Sequence, residues 1–431
     1  MKPKQEKTAR AIVVTRIVVC AILAVSLAFH PQACLAVPIT PGWSGLSLNG
    51  WIAESEAVLL VKWVSKNKLD ENKAITTTFE VVQVAKTPEG DEAVRVGNRI
   101  AYGSYRKGKP GEFYLLIGGG PPFKARGHWP YWESPQKVTR AGFNSIVQAP
   151  SPEAPAQERL SYFLKLLDFS DPLVVNEAHK QLSDASFEEL APLAPQMSRA
   201  KLRQWITDPK ILPHRVALYG LMLGICGNEH DAELLRRIII EQADDIRFGI
   251  EGVMSGYLLL TGQQGLELLD QTKIKNKQAH FAETYAALQA VRFMWSDAPG
   301  KIENERLLQS MRLLLEQPFV TEVVVDTLAR WKDWSVQDRL MGLRVPDDYH
   351  GAAIEHAIIR YMIRSTKDLP KDETAKTPEH VLKGRAYLET LRKRDPEAVR
   401  EAEEKLNAEN EGCTEEPESH AEPDPAATLG E

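Results

Sequence analysis

The amino-acid sequence predicts a multidomain protein: a small antiparallel β barrel or sandwich, then an all-α solenoid, then a disordered acidic C-terminal tail. Three observations predict it. Apolar blocks of helical spacing return roughly every 34–40 residues between Gln157 and Met362; helix pairs that repeat in this way bury their apolar faces only against their neighbours. Short runs of β-branched and aromatic residues, separated by Gly- and Pro-containing turns, fill the stretch 51–148. Residues 395–431 carry thirteen acids and two bases, with almost nothing to bury.

The N-terminal 36 residues are expected to be a secretory signal. Lys2, Lys4, Lys7, Arg10 and Arg16 form a basic region, Ile17 to Phe29 is an uncharged run of 13 residues, and Cys34-Leu35-Ala36 places small residues before a cut. Val37 is then the mature N-terminus. The alternative is an uncleaved anchor, for which 13 residues are short of the roughly 20 that a span needs, although Ala11 to Val14 extend the run. Pro31-Gln32-Ala33 disfavours lipidation of Cys34. Localisation is accordingly periplasmic or extracellular, with membrane attachment only if the segment is retained. Cys226 and Cys413 remain after cleavage and make no disulfide framework, so Cys226, in an apolar helical run, is expected to be a small core residue.

The net charge of −6 is unevenly spread. Residues 1–36 hold five bases and one acid, and the middle of the chain, between that segment and Asp395, holds 46 bases and 45 acids. A body so near neutrality lacks the basic footprint of a nucleic-acid binder.

Within 51–148, Ala57 to Val64 is a buried strand. Ile75 to Val84 is a second, whose alternation slips at Val81-Val82 and predicts a bulge. Val94 to Val96, Ile100 to Tyr102 and Phe113 to Ile117 follow. Trp51, Trp63, Trp129 and Trp132 give this small core large side chains. Residues 149–156, with Pro150, Pro152 and Pro155, form the linker. Helices then occupy 157–394. Asp171-Pro172 pairs an N-cap with proline at the first helical position. Ser335 and Asp338 have capping-box spacing, and Gly227 and Gly262 are helix stops. The disordered tail covers 408–431.

Asp171-Pro172-Leu173-Val174, Ala178 and Leu182 resemble one half of a HEAT repeat. Ala217 to Gly227, followed by Leu234-Leu235, resembles the other half. The resemblance implies a HEAT-like fold of about five or six helix pairs and a habit of binding proteins, and it carries no catalytic residues. The strands Ala57 to Val64 and Thr78 to Val84, with Gly111-Glu112-Phe113-Tyr114-Leu115-Leu116, are similar to the OB-like barrel of netrin-type and protease-inhibitor domains, without the cysteines of those domains. The whole layout resembles a family of exported bacterial proteins that pair such a β domain with degenerate HEAT-like repeats.

Candidate sites are few. Gly118-Gly119-Gly120-Pro121-Pro122 follows a strand but lacks the Lys-Ser/Thr and helix of a phosphate loop. His128, Trp129, Tyr131 and Trp132, with Glu133, are candidates for an aromatic binding ledge or for a lid over the barrel end; two ligands without a third do not make a metal site. Arg330, Trp331 and Trp334 combine the residue types of a binding hot spot, and the competing reading wedges both tryptophans between helix pairs. No H-E-x-x-H or G-x-S-x-G occurs, His350 and His356 do not align on a helix, and no cofactor or metal is indicated. The expectation is an exported, non-catalytic interaction or scaffold protein that binds another protein through a helical-repeat surface. The alternative is an extracytoplasmic hydrolase with dispersed catalytic residues, recognisable as a convergent cluster of carboxylates or histidines. A third reading, a nucleic-acid-binding OB fold, has weak support from the 14 bases and 10 acids of 37–148.

Overall fold

Strand β1 (Ala57–Lys68) is apolar at consecutive positions because both of its faces are covered. It is the centre of a five-stranded antiparallel sheet, ordered β3-β2-β1-β4-β5, with β2 (Ile75–Lys86), β3 (Arg99–Tyr102), β4 (Phe113–Gly118) and β5 (Gln136–Lys137). Val58 and Leu60 point to one face; Leu59, Val61 and Trp63 point to the other. Opposite Leu60 lies Gln83, and opposite Val61 lies Val81. Val82 is therefore the extra residue of a bulge, at the place where the alternation slips. The computed structural model describes residues 47–68, 75–90, 93–119, 132–241, 246–344, 349–372 and 374–411. The N-terminal signal-like segment and residues 412–431 lie outside them.

The first face of the sheet is covered by helices. α1 (Leu48–Glu54) and α2 (Arg140–Val147) lie within the stretch that reads as β-rich. α2 is started by Thr139, whose hydroxyl accepts from Gly142 N, and it buries Phe143 and Ile146. α3 (Ala156–Leu166) and α4 (Pro172–Ser183) continue the same core: Val174 is a member, and Leu166, Phe169 and Leu173 pack against it. The second face is closed by the loop between β3 and β4. Trp63 Nε1 donates to Arg106 O (3.1 Å), Tyr114 OH to Lys107 O (3.0 Å), and Thr77 Oγ1 to Ser104 O (3.0 Å). Among the described residues the edges β3 and β5 are not paired with each other, so a helical layer stands where a barrel or sandwich would place more strands. Val94 to Val96, expected as a strand, instead enters a turn at Gly97 (φ +89°).

The proline-rich segment is tied on both sides. Asn49 Nδ2 donates to Pro150 O (2.9 Å), and Tyr162 OH to Ser145 O (2.6 Å). Glu177 on α4 accepts from the N–H groups of Leu48 and Asn49, both at 3.0 Å, satisfying two orphan donors at the start of α1. Asp171 caps α4 through Leu173 N (2.9 Å) and also accepts from Thr139 N (2.6 Å). One carboxylate thus serves two helix starts.

The remaining helices are α5 (Phe187–Leu190), α6 (Arg199–Thr207), α7 (Pro213–Cys226), α8 (Glu229–Ile240), α9 (Ile250–Thr261), α10 (Gln263–Leu269), α11 (Phe281–Ser296), α12 (Asn304–Leu314), α13 (Thr321–Arg330), α14 (Gln337–Met341), α15 (Tyr349–Lys367), α16 (Glu379–Arg394) and α17 (Pro396–Glu411). A 3₁₀ turn (Ala191–Gln196) follows α5, and a π turn (Asp270–Ile274) follows α10. The described chain divides into two compact units. The first runs to Gly265 and includes Arg292–Lys301; the second comprises Leu266–Val291 and the residues from Ile302 onward. In the first, α7 and α9 meet backbone to backbone. A Cβ on Gly224 would lie 2.2 Å from Gly256 Cα, and one on Gly252 would lie 2.0 Å from Ala217 O.

In the second unit, α17 buries Val399, Ala402 and Leu406 on one narrow stripe. It runs through Glu411, so residues 408–411 of the expected tail are helical. Ser335 does not head a capping box. Asp333 caps that turn by accepting from Ser335 N (3.2 Å) and Ser335 Oγ (2.7 Å).

Candidate functional site

Of the predicted aromatic ledge, His128, Trp129 and Tyr131 lie outside the described residues, as do Gly120, Pro121 and Pro122. Trp132 forms an isolated β-bridge with Gly118 and packs, half-buried, against the core of the second sheet face. Glu133 N donates to Ile117 O (2.8 Å), and burial pushes the Glu133 carboxyl up. This part of the ledge extends the sheet edge.

The second predicted group sits at the end of α13. Arg330 is exposed, and Trp331 is the half-buried C-cap. Lys332 takes the left-handed conformation (φ 57°), and Asp333 N returns to Leu328 O (2.9 Å), the closing bond of a Schellman motif. Trp334 is a strut: its Nε1 donates to Asp368 Oδ2 (2.7 Å), its ring meets Tyr361 edge-on at 5.1 Å, and it stacks on His380 at 5.5 Å. Lys332 Nζ reaches Asp368 Oδ1 (2.7 Å), and this bond, reinforced by Trp334, holds the Asp368 carboxyl below its usual range.

Three features were not visible in the sequence. The first is a ring cluster on α4, α6 and α7, with His179 and Tyr219 buried and His214 exposed. The His179 and His214 rings meet edge-on at 5.3 Å, and Tyr219 lies between His179 (6.4 Å) and Trp205 (4.8 Å). Burial, and then the neighbouring His214 and Arg215, push His179 down to about 3. It is therefore neutral at any ordinary pH and is a poor general base at pH 7. His179 and His214 lie one repeat spacing apart, a relation that residue types alone do not reveal.

The second feature is a cavity of about 320 Å³ bordered by α3, α6 and α7. Leu164, Leu167, Trp205 and Met222 contribute apolar wall, and Asp168 and Lys201 also line it, paired at 2.6 Å. The third is an apolar patch at one end of α7, α8 and α9. A Cβ on Gly249 would lie 2.5 Å from Pro213 O, so the start of α9 runs close to the start of α7. Arg247 donates to the carbonyls of Ile238 and Ile239 at the end of α8, which brings Ile240 to the same end. Phe248 is 64%, Leu212 49% and Ile240 40% exposed.

Cys226, closing α7, is half-buried, and burial raises its thiol to about 11, so it is not a nucleophile at neutral pH. Among the described residues, no three His, Cys, Asp or Glu side chains are placed to hold a metal ion, and no helix is long and apolar enough to cross a membrane.

No family model matches the chain, and no curated protein sequence matches it. Among solved structures, human deoxyhypusine hydroxylase in complex with glycerol aligns over 61% of this chain and 92% of its own, at 16% identity and a TM-score of 0.23. A similarity at that level carries no functional argument.

Proposed function

We propose that this chain is an exported interaction protein whose helical part is a HEAT-like solenoid that binds another protein. The binding reading rests on the Leu212–Ile240–Phe248 patch. Leu212, Ile240 and Phe248 are large apolar side chains left in water at the same end of α7, α8 and α9, and apolar surface of this kind, where contiguous, marks interaction sites. The repeat reading is supported by the spacing of polar links. Asp168–Lys201, Asp326–Arg360, Asp270–Arg306 and Lys332–Asp368 join residues 33, 34, 36 and 36 positions apart, close to the period of the apolar blocks. Similar links at similar intervals suit a stack of related helix pairs.

A photo-crosslinking residue at position 248, expressed in the native cell, tests the binding reading. It should yield a discrete higher-mass adduct from the envelope fraction. The same residue at exposed Glu229, at the far end of α8, should not. Matching adducts from both positions, or none from 248, would remove the assignment.

A further inference from the structure

We infer that the first turn of α7, with His179 of α4 behind it, binds a phosphate-class oxyanion, free or as the phosphoryl group of a small molecule. This goes beyond the protein-binding reading and does not depend on it.

The first observation is a pair of stranded nitrogens. His179 is 7% exposed, and its Nε2 is buried with no hydrogen-bond partner among the described residues. Arg215 Nε, in the first turn of α7, is buried and unpartnered in the same way. Native chains leave few such groups, because a buried donor without an acceptor is destabilising. The two atoms lie on one side of the His179 ring. Ser183 Oγ is 3.4 Å from His179 Nδ1, so Nε2 is on the ring edge turned away from Ser183. Asn176, almost one turn along α4 in the other direction, holds Arg215 Nη2 at 2.6 Å, and the His214 ring meets His179 edge-on at 5.3 Å. With Nδ1 accepting from Ser183, the neutral His179 ring carries its hydrogen on Nε2 and donates there.

The second observation is charge. α7 starts with no side-chain cap and no acid in its first turn; His214 and Arg215 stand there instead, at the positive end of the helix. Burial, then His214 and Arg215, push His179 down to about 3, and burial, then Arg215, lowers His214. No carboxylate is among the charges acting on either ring. The carboxylates on the surrounding elements are engaged: Asp168 with Lys201, Asp184 with Lys180, Glu177 with the Leu48 and Asn49 N–H groups, and Glu251 with the Gly249 N–H.

An oxyanion supplies what is missing. It accepts from His179 Nε2, Arg215 Nε and the His214 ring. Donors from three side chains suit the tetrahedral oxygens of phosphate or sulfate better than the planar pair of a carboxylate. His214 is exposed, so its ring can turn aside to admit the ion. The bound anion favours protonated His214, so binding takes up a proton.

Isothermal titration of the full chain with phosphate, sulfate and glycerol 3-phosphate tests this, with acetate and chloride as controls. Phosphate and sulfate should bind saturably at concentrations up to about 1 mM, and acetate and chloride at least about tenfold more weakly. Binding of inorganic phosphate but not glycerol 3-phosphate assigns the free ion; equal binding of both assigns a phosphoryl group. His214→Gln, at an exposed position, and Arg215→Gln should each weaken sulfate binding about tenfold, and Lys165→Gln, on α3, should not. Sulfate does not titrate near neutrality, so its affinity should rise at least about threefold from about pH 8 to about pH 6. The inference is overturned if neither phosphate nor sulfate binds saturably, or if acetate binds as well as they do. It is equally overturned if His214→Gln leaves the affinity unchanged, or if sulfate affinity does not rise as pH falls.

Discussion

The two compact units hold their helices together by different physics. In the first, α7 and α9 touch through glycines. Gly220, Gly224, Gly252 and Gly256 lie inside helices, where each costs about 1 kcal/mol relative to alanine in propensity, and the close backbone approach offsets that cost through dispersion contacts. Asp231 is fully buried and paired with Arg203 in this unit, its carboxyl held low, but three other groups are pushed toward the neutral form. Burial pushes His179 down to about 3, Glu251 up to about 7 and Asp297 up to about 6.

In the second unit the buried ionisable groups are charged and paired. Asp333 takes Arg312 in a two-pronged pair at 2.7 and 3.0 Å. Asp270 binds Arg306 (2.6 Å) and Ser310 (2.7 Å), and Asp326 binds Arg360 through both oxygens. The comparison teaches where the first unit is fragile: to added volume between α7 and α9 and, through His179, to protons; the second relies on more of the buried pairs, whose loss of one member is costly in either unit.

The largest expected effect is therefore steric. Gly252→Ala and Gly224→Ala place a methyl within 2.0 and 2.2 Å of backbone atoms that belong to the facing helix. Each should destabilise by about 3 kcal/mol or more, although alanine is the better helix former. Urea denaturation that shows either variant equal to or above the wild type would mean that the helices are not in backbone contact.

Next comes the loss of a charge. Asp333→Ala removes the partner of Arg312 and the cap of Ser335. Because Arg312 is a quarter exposed, the cost should be about 2–3 kcal/mol, below that of a fully buried pair. The double variant Asp270→Leu with Arg306→Met should lose much less than Asp270→Leu alone. A double-mutant cycle showing simple additivity would remove the pairing from the account.

The pH response separates the units further. His179 has its pKa lowered in the folded state, so the unfolded chain binds the proton first. Stability is fully present above about 6.5 and falls as pH drops below it. Glu251 has the opposite sign: its raised pKa means that the folded state binds the proton first, so acidification from about 7 to about 4.5 is stabilising. The two oppose each other, and a single substitution exposes the histidine. Between pH 7 and pH 5 the wild type should lose about 2 kcal/mol relative to His179→Leu. Parallel pH profiles for the two proteins would show that His179 is not buried as a neutral ring.

The smallest effect is expected at Lys332. Lys332→Gly relieves a left-handed backbone conformation, worth about 1 kcal/mol, and gives up an exposed ion pair with Asp368, worth about 0–1 kcal/mol. Net stability should move by less than about 1 kcal/mol. A loss of several would mean that the Lys332–Asp368 bond anchors the α13 end.

Local chemistry was the legible part of this chain. Asp171-Pro172 starts a helix, Gly227 and Gly262 are C-caps, and the Val81-Val82 slip is a bulge, because each depends on adjacent residues. What depends on distant contacts was not legible. α2 looked like part of a β segment, since Phe143 and Ile146 define a helical face only when the sheet lies beneath them. The helix-interior glycines are unfavourable until their facing backbone is known. Of the predicted site residues, Trp334 is joined to Asp368, Tyr361 and His380, but this grouping draws on α13, α15 and α16 at once. Leu212, Ile240 and Phe248 are separated by loops and share no spacing rule.

The central claim is that this patch exists for a partner and not for the fold. One protein, carrying both Leu212→Ser and Phe248→Ser, tests it when melting temperature and crosslinked capture from the native envelope are measured on the same preparation. Side chains already in water contribute little to folding, so the melting temperature should stay within about 2 °C of wild type while the captured protein disappears. Undiminished capture, or a melting temperature many degrees lower, would contradict the account.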